Sequence, residues 1–365
     1  MLIGLLGGLS AQLFVWLLEI AERLLIVGIA GYIAPEPGAS TLAPGLGSCG
    51  LWLVPVVTTL GGLLSGVLVY TVAPEAEGHG TDAAVDAFHH KGGRMRPVVP
   101  LVKAIASAIT IGSGGAAGRE GPVAQISVGA SSIVADLFHL DDDDRRIIVL
   151  AGMAAGLSAI FRSPLGMAIF AVEILYSGMD FETEALIYTV VSAVVAYAVN
   201  GLFVGWSPIF HFSETLHFTR PLDLVGYTML GIVAGLVGAI EPTIFYGIRD
   251  FFKRLKVSNH IKPAIGGLLM GLLALAVPQT ISSGYGWVQQ AMTGDYVGWS
   301  LILLAFAKIL AMSLTISSGG SGGVFGPNVY IGGMIGAWTA FAIDHQAVLL
   351  PVNLIACESC QLRNS

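Results

Sequence analysis

The sequence predicts an all-α polytopic membrane protein made of two related halves with broken and re-entrant helices. Three observations carry this. Of 365 residues, 55% are hydrophobic and only 11% charged, against roughly 25% charged in soluble domains. Apolar runs near the ~20 residues that cross a bilayer recur along the whole chain. A 24-residue stretch returns at an offset of 205 with 11 identical positions and no gap.

Taken in order, apolar helices are expected at 2–30, 52–72, 97–116, 121–138, 147–160, 164–177, 184–204, 222–252, 263–278, 299–316 and 324–343. Shorter re-entrant helices are expected at 81–91 and 285–293. The opening run MLIGLLGGLSAQLFVWLLEIAERLL has no basic region before it and no small-residue cleavage site, so it reads as a span rather than a signal peptide. The 48 glycines sit inside the apolar runs, as suits helices packed closely in lipid. Loops 91–96 and 249–262 are basic and therefore cytoplasmic, whereas 31–50 lacks Lys and Arg and is external. That arrangement puts the amino terminus in the cytoplasm.

The polar residues outside the repeat read simply. Asp141, Asp142, Asp143 and Asp144 with Arg145 and Arg146 are expected to form a solvated loop and helix start. Lys103 and Lys308, matched in the repeat, are expected to snorkel near helix ends. Glu173 is expected to satisfy nearby backbone amides. A net charge of −7 excludes a nucleic-acid partner. Cys49 stands alone and Cys357 with Cys360 makes a lone C-x-x-C, so no metal and no cofactor are expected.

The repeat aligns KAIASAITIGSGGAAGREGPVAQI, from Lys103 to Ile126, with KILAMSLTISSGGSGGVFGPNVYI, from Lys308 to Ile331. Upstream, GGLLSGVL at 61–68 matches GGLLMGLL at 266–273, and one inserted residue then aligns Gly78-His79-Gly80 with Gly284-Tyr285-Gly286. Homologous halves with broken helices mark secondary transporters, whose substrate site lies between the halves. The expected units are a first repeat over 1–205, a second over 222–343, and an atypical tail over 344–365 that loses helical periodicity near Ile343. A second half as long as the first would run past residue 400, so the second repeat is read as incomplete.

In Gly118-Arg119-Glu120-Gly121-Pro122 the glycines permit an unwound approach and Pro122 suits a first helical turn. Such a helix aims free N–H groups and the positive end of its dipole at whatever lies before it, which makes an anion site. Gly322-Gly323-Val324-Phe325-Gly326-Pro327 is the same device in the second half. Gly78-His79-Gly80-Thr81-Asp82 is a third candidate, with Thr81 or Asp82 capping the following helix. Glu120 is either a tethered competitor for the anion, released on protonation, or a first-turn carboxylate that complements the dipole.

The segments GSGGAAGREGP, GGVFGP and AEGHGTDAAVDAF resemble the anion-site segments of the CLC chloride channels and chloride/proton exchangers, and the resemblance covers about residues 1–343. It implies an inverted-repeat fold and a cell (inner) membrane location. It implies transport of chloride or a similar small anion, with protons as a second substrate in an exchanger and none in a passive channel. It also implies that Glu120 is the external gating glutamate and that backbone amides near Glu120–Gly121 and Val324–Gly326 hold the anion. The expected anion-binding set is His79, Gly80, Gly118, Arg119, Glu120, Gly121, Val324, Phe325 and Gly326. Three departures stand out. His79 replaces a serine that faces the central anion in many members; it either meets the anion or packs locally. Ile174 occupies the position where exchangers often carry a proton-relay glutamate. The final helices, which supply an anion-binding tyrosine and part of a homodimer interface, are missing. A non-transporting fragment is therefore a rival reading. An intramembrane serine protease built on Gly319-Gly320-Ser321-Gly322 lacks a histidine base in a later span.

Overall fold

The computed structural model describes residues 1–37, 45–46, 50–176, 183–211, 221 and 223–349, and these are largely helical. Cys49, Cys357 and Cys360 lie outside them, as does the tail beyond residue 349. Helix α1 (Leu2–Glu22) loosens into a π-helical turn at Arg23–Val27 and leads to a small ribbon, β1 (Tyr32–Ile33) antiparallel to β2 (Gly45–Leu46). Then come α2 (Val54–Val72), a 3-10 turn at Pro74–Ala76, the short α3 (Thr81–His90), α4 (Val98–Gly112), α5 (Glu120–Leu137), α6 (Asp142–Phe161), α7 (Pro164–Leu175) and α8 (Thr183–Val204). The second series is α9 (Asp223–Arg254), α10 (Lys262–Ala276), a 3-10 turn at Pro278–Thr280, the short α11 (Tyr285–Met292), α12 (Trp299–Ser317) and α13 (Phe325–Leu349). Among the described residues five helices are long and apolar enough to cross a membrane.

Close approach through small residues organises the packing. Helix α2 lies along α10, with Gly62 and Gly66 against Pro263 and His260, and Gly267 and Gly271 against Thr58 and Pro55. In lipid, where apolar contact alone gives little drive to associate, such backbone proximity supplies the van der Waals energy. One apolar cluster joins α3, α5, α6, α7 and α8 around Leu150, Met153 and Leu157. Another joins α9, α11, α12 and α13 around Trp287, Leu301 and Met334.

The structure moves the repeat register between α2 and α3. The 3-10 turns at Pro74 and Pro278, and the left-handed glycines Gly80 and Gly284 that precede α3 and α11, correspond at an offset of 204. The expected pairing of Gly78-His79-Gly80 with Gly284-Tyr285-Gly286 is therefore shifted by two residues. Tyr285 matches Thr81, and Ser283 matches His79.

Several local expectations are corrected. Lys103 and Lys308 are completely buried rather than snorkelling. Lys103 Nζ donates to the carbonyls of Ala76 (3.1 Å) and Gly78 (2.7 Å), and Lys308 Nζ to those of Thr280 (2.9 Å) and Ser282 (2.5 Å). The broken backbone before α3 and α11 leaves carbonyls without helical partners, and a buried ammonium satisfies them. Arg145 is buried, not solvated: its guanidinium reaches Asp136 at 2.5 Å and the Leu140 carbonyl at 3.3 Å, because the tight α5–α6 connection lays α6 on the end of α5. Asp141 does cap α6, accepting from Asp144 N at 2.9 Å. Glu173 is exposed on α7. No side chain caps α3; Gly80 occupies the cap, and Asp82 turns to His79. Helix α13 continues six residues past Ile343 to Leu349, since Asp344 to Leu349 contain no helix breaker and Pro351 follows.

Candidate functional site

The site is made first by backbone. Helices α4 and α12 end in matching glycine turns, Gly114 at φ +100° and Gly319 at φ +101°, a conformation that disfavours a side chain. The extended stretches that follow pair with each other. Gly118 N donates to Gly323 O at 2.7 Å, and Gly323 N returns to Gly118 O at 2.7 Å. The break before α3 joins them, with Gly322 N donating to Gly78 O at 3.1 Å. A Cβ on Gly118 would stand 2.7 Å from Gly326 N, and one on Gly323 would stand 2.8 Å from Gly121 N. Glycine is required here because two backbones occupy the space of side chains. The starts of α3, α5 and α13 thus converge, which brings Gly80, Gly118, Glu120, Gly121 and Gly326 together.

Glu120 lies at the centre and is completely buried. Its Oε2 accepts from Gly326 N, in the first turn of α13, at 3.2 Å, and its Oε1 accepts from the Tyr285 hydroxyl at 2.5 Å. The carboxylate therefore takes the place that free N–H groups and the helix dipole offer to an anion. Arg119 stands beside it with its guanidinium 5.9 Å from the Tyr285 ring centre. Phe325, the repeat partner of Glu120, is held edge-on by Phe170 and Phe161, at centroid distances of 5.3 and 6.5 Å. Val324 packs against the cluster of Ile111, Ala117 and Met312.

Two cavities approach Glu120 from opposite ends of α2. One of about 1160 Å³ is reached past Tyr70, near the end of α2, and is lined by His79, Gly80, Gln125, Arg249 and Lys253. The other, about 440 Å³, is lined by Tyr32, Arg119, Arg162 and Tyr285; Tyr32 packs with Val54, where α2 begins. His79 sits in the larger cavity with Nε2 3.0 Å from Asp82 Oδ2, and its buried Nδ1 has no hydrogen-bond partner among the described residues. Ile174 packs into the apolar cluster that contains Phe88, beside α3. Ser321 is buried and structural: its hydroxyl donates to Ala76 O at 2.9 Å and lies 2.9 Å from Ser107 Oγ.

Tyr285 is the residue that the sequence reading missed. The shifted register hid it by pairing it with His79. The matching prolines 74 and 278 and glycines 80 and 284 carry the correct offset of 204 in the sequence itself.

A family model described as voltage gated chloride channel matches residues 61–357. The chain belongs to this family. Among its relatives, the voltage-gated ClC-type chloride channel ClcB of Salmonella dublin is 31% identical over 341 residues, covering 92% of this chain and 78% of the relative. The H(+)/Cl(-) exchange transporter ClcA of Salmonella arizonae is 32% identical over 316 residues, covering 82% of this chain and 64% of the relative. Solved structures share the fold. A slow cyanobacterial Cl-/H+ antiporter superposes with TM-score 0.77 at 22% identity, covering 96% of this chain and 79% of that one. A CLC-type fluoride/proton antiporter gives TM-score 0.73 at 19% identity, covering 90% and 78%. The family and its multiple apolar helices make this a multi-pass membrane protein.

Proposed function

We propose that the chain moves chloride or a similar small anion across the cell's inner membrane, with Glu120 as the gate. The observation that carries this is the Glu120 carboxylate seated on the Gly326 N–H at the start of α13, with a cavity on either side. In that pose it competes for the anion position; once protonated or swung aside, it leaves the N–H groups to the anion. The larger cavity is lined by Lys91, Arg94, Arg96, Arg249, Lys253 and Lys262, which supports a cytoplasmic side for it and attraction of anions to its mouth.

Coupling to protons follows if Glu120 carries one as it leaves, which supports chloride/proton exchange. Passive conduction is the second reading, and the apolar surroundings of Ile174 favour it, since no acid stands at that relay position. The test is flux from liposomes containing the purified chain, followed with anion and pH electrodes. Glu120→Gln is expected to keep anion flux while abolishing proton movement and pH dependence. An unchanged proton-to-anion ratio would rule out the gate. If Glu120 only complements the dipole, the substitution costs about 0.3–1 kcal/mol of stability and leaves the pH profile alone.

A further inference from the structure

Glu120 is held by two groups, and only one of them is a helix end. The other is the hydroxyl of Tyr285, the first residue of α11, which donates to Glu120 Oε1 at 2.5 Å with Tyr285 itself only 8% exposed. Its ring is fixed by edge-to-face contact with Phe210, centroids 5.7 Å apart, and by the Arg119 guanidinium at 5.9 Å. Tyr285 also lines the smaller cavity, so it stands between that cavity and the buried carboxylate. Its repeat partner Thr81 is too short to make an equivalent reach, and the Thr81 hydroxyl is buried without a hydrogen-bond partner among the described residues. The latch is thus present at one end of the path only.

We propose that Tyr285 is a positioning residue that latches the gate: its hydroxyl stabilises the pose in which Glu120 displaces the anion, and so weakens anion binding. This rests on the gating role proposed above for Glu120. A phenol donating to a carboxylate is a charge-assisted hydrogen bond, and both groups are dry, so the bond is among the stronger ones available. To clear the start of α13 the carboxylate gives up Tyr285 as well as Gly326, and removing the hydroxyl makes it a weaker competitor.

The experiment is chloride titration by calorimetry on the purified full chain at neutral pH, for parent, Tyr285→Phe, Glu120→Gln and the double variant. Tyr285→Phe is expected to bind chloride about tenfold more tightly than the parent, the effect of losing one charge-assisted hydrogen bond. In the Glu120→Gln background the same change is expected to do nothing, because the competing charge is already gone. A merely structural tyrosine would weaken binding in both backgrounds, and that result overturns the latch. Should Tyr285→Phe not purify as a folded protein, 3-fluorotyrosine at 285, a stronger donor of nearly the same shape, is expected to weaken chloride binding. An unchanged affinity there also overturns it. If Glu120→Gln alone leaves chloride affinity where it was, the gate reading fails; if it tightens binding while Tyr285→Phe does not, only the latch fails.

Discussion

In the first half the residue that opens the helix after the glycine break is Glu120; in the second it is Phe325, 205 positions later. The backbone around the two is nearly the same. Each follows a left-handed glycine, each comes two residues after the glycine, Gly118 or Gly323, that pairs the two extended stretches, and each half buries one lysine on the carbonyls of the broken segment before its short helix. The side chains on that common frame differ. One half contributes the carboxylate, and the other contributes the N–H groups that receive it and the tyrosine that holds it. The difference teaches that the repeat builds a polar frame inside lipid, where unsatisfied backbone is costly. The asymmetry of the site then comes from which half supplies charge and which supplies donors.

The comparison is broken most severely at the lysines. Lys103→Met and Lys308→Met each strip a charged donor from two carbonyls, although Ala76 O and Gly78 O keep the Ser321 hydroxyl and Gly322 N, and each is expected to cost about 2–5 kcal/mol through the lost charge-assisted hydrogen bonds. Thermal unfolding in detergent measures this. Similar losses at both sites support a shared frame, whereas a loss at one alone shows that the halves are built differently.

Glycines sharpen the comparison at smaller magnitude. Gly323→Ala forces a Cβ to within 2.8 Å of Gly121 N and is expected to destabilise by about 1–3 kcal/mol through overpacking. Gly332, on α13, has nothing within 4 Å of the corresponding position, so Gly332→Ala is expected to stabilise by up to about 1 kcal/mol through helix propensity. The same unfolding assay checks both. Equal effects would mean that the crossing of the two breaks is looser than its 2.7 Å hydrogen bonds indicate.

Much of this was legible from residues alone. Helix positions followed from apolar runs punctuated by Gly and Pro, and the convergence of the Gly118 and Gly323 segments followed from their matched place in the repeat. What was hidden depends on partners distant in sequence. Hydropathy cannot show that Lys103 and Lys308 have carbonyls waiting inside, so snorkelling was the natural expectation. Arg145 looked like one of a solvated charge run until α5 supplied Asp136. His79 matched a ligand position by motif, yet it is Asp82, three residues on, that takes its Nε2. Tyr285 escaped because a two-residue shift in register moved it out of its true repeat position.

The central claim is that Glu120 occupies the position of an anion at the start of α13, and diffraction from crystals soaked in bromide tests it most directly. Bromide scatters anomalously, so its site can be located independently of the protein. The account predicts no bromide on the Gly326 N–H in the parent, where the Glu120 carboxylate sits, and a bromide at that point in Glu120→Gln. A bromide on Gly326 N in the parent with Glu120 still bonded there, or none in the variant, would contradict it.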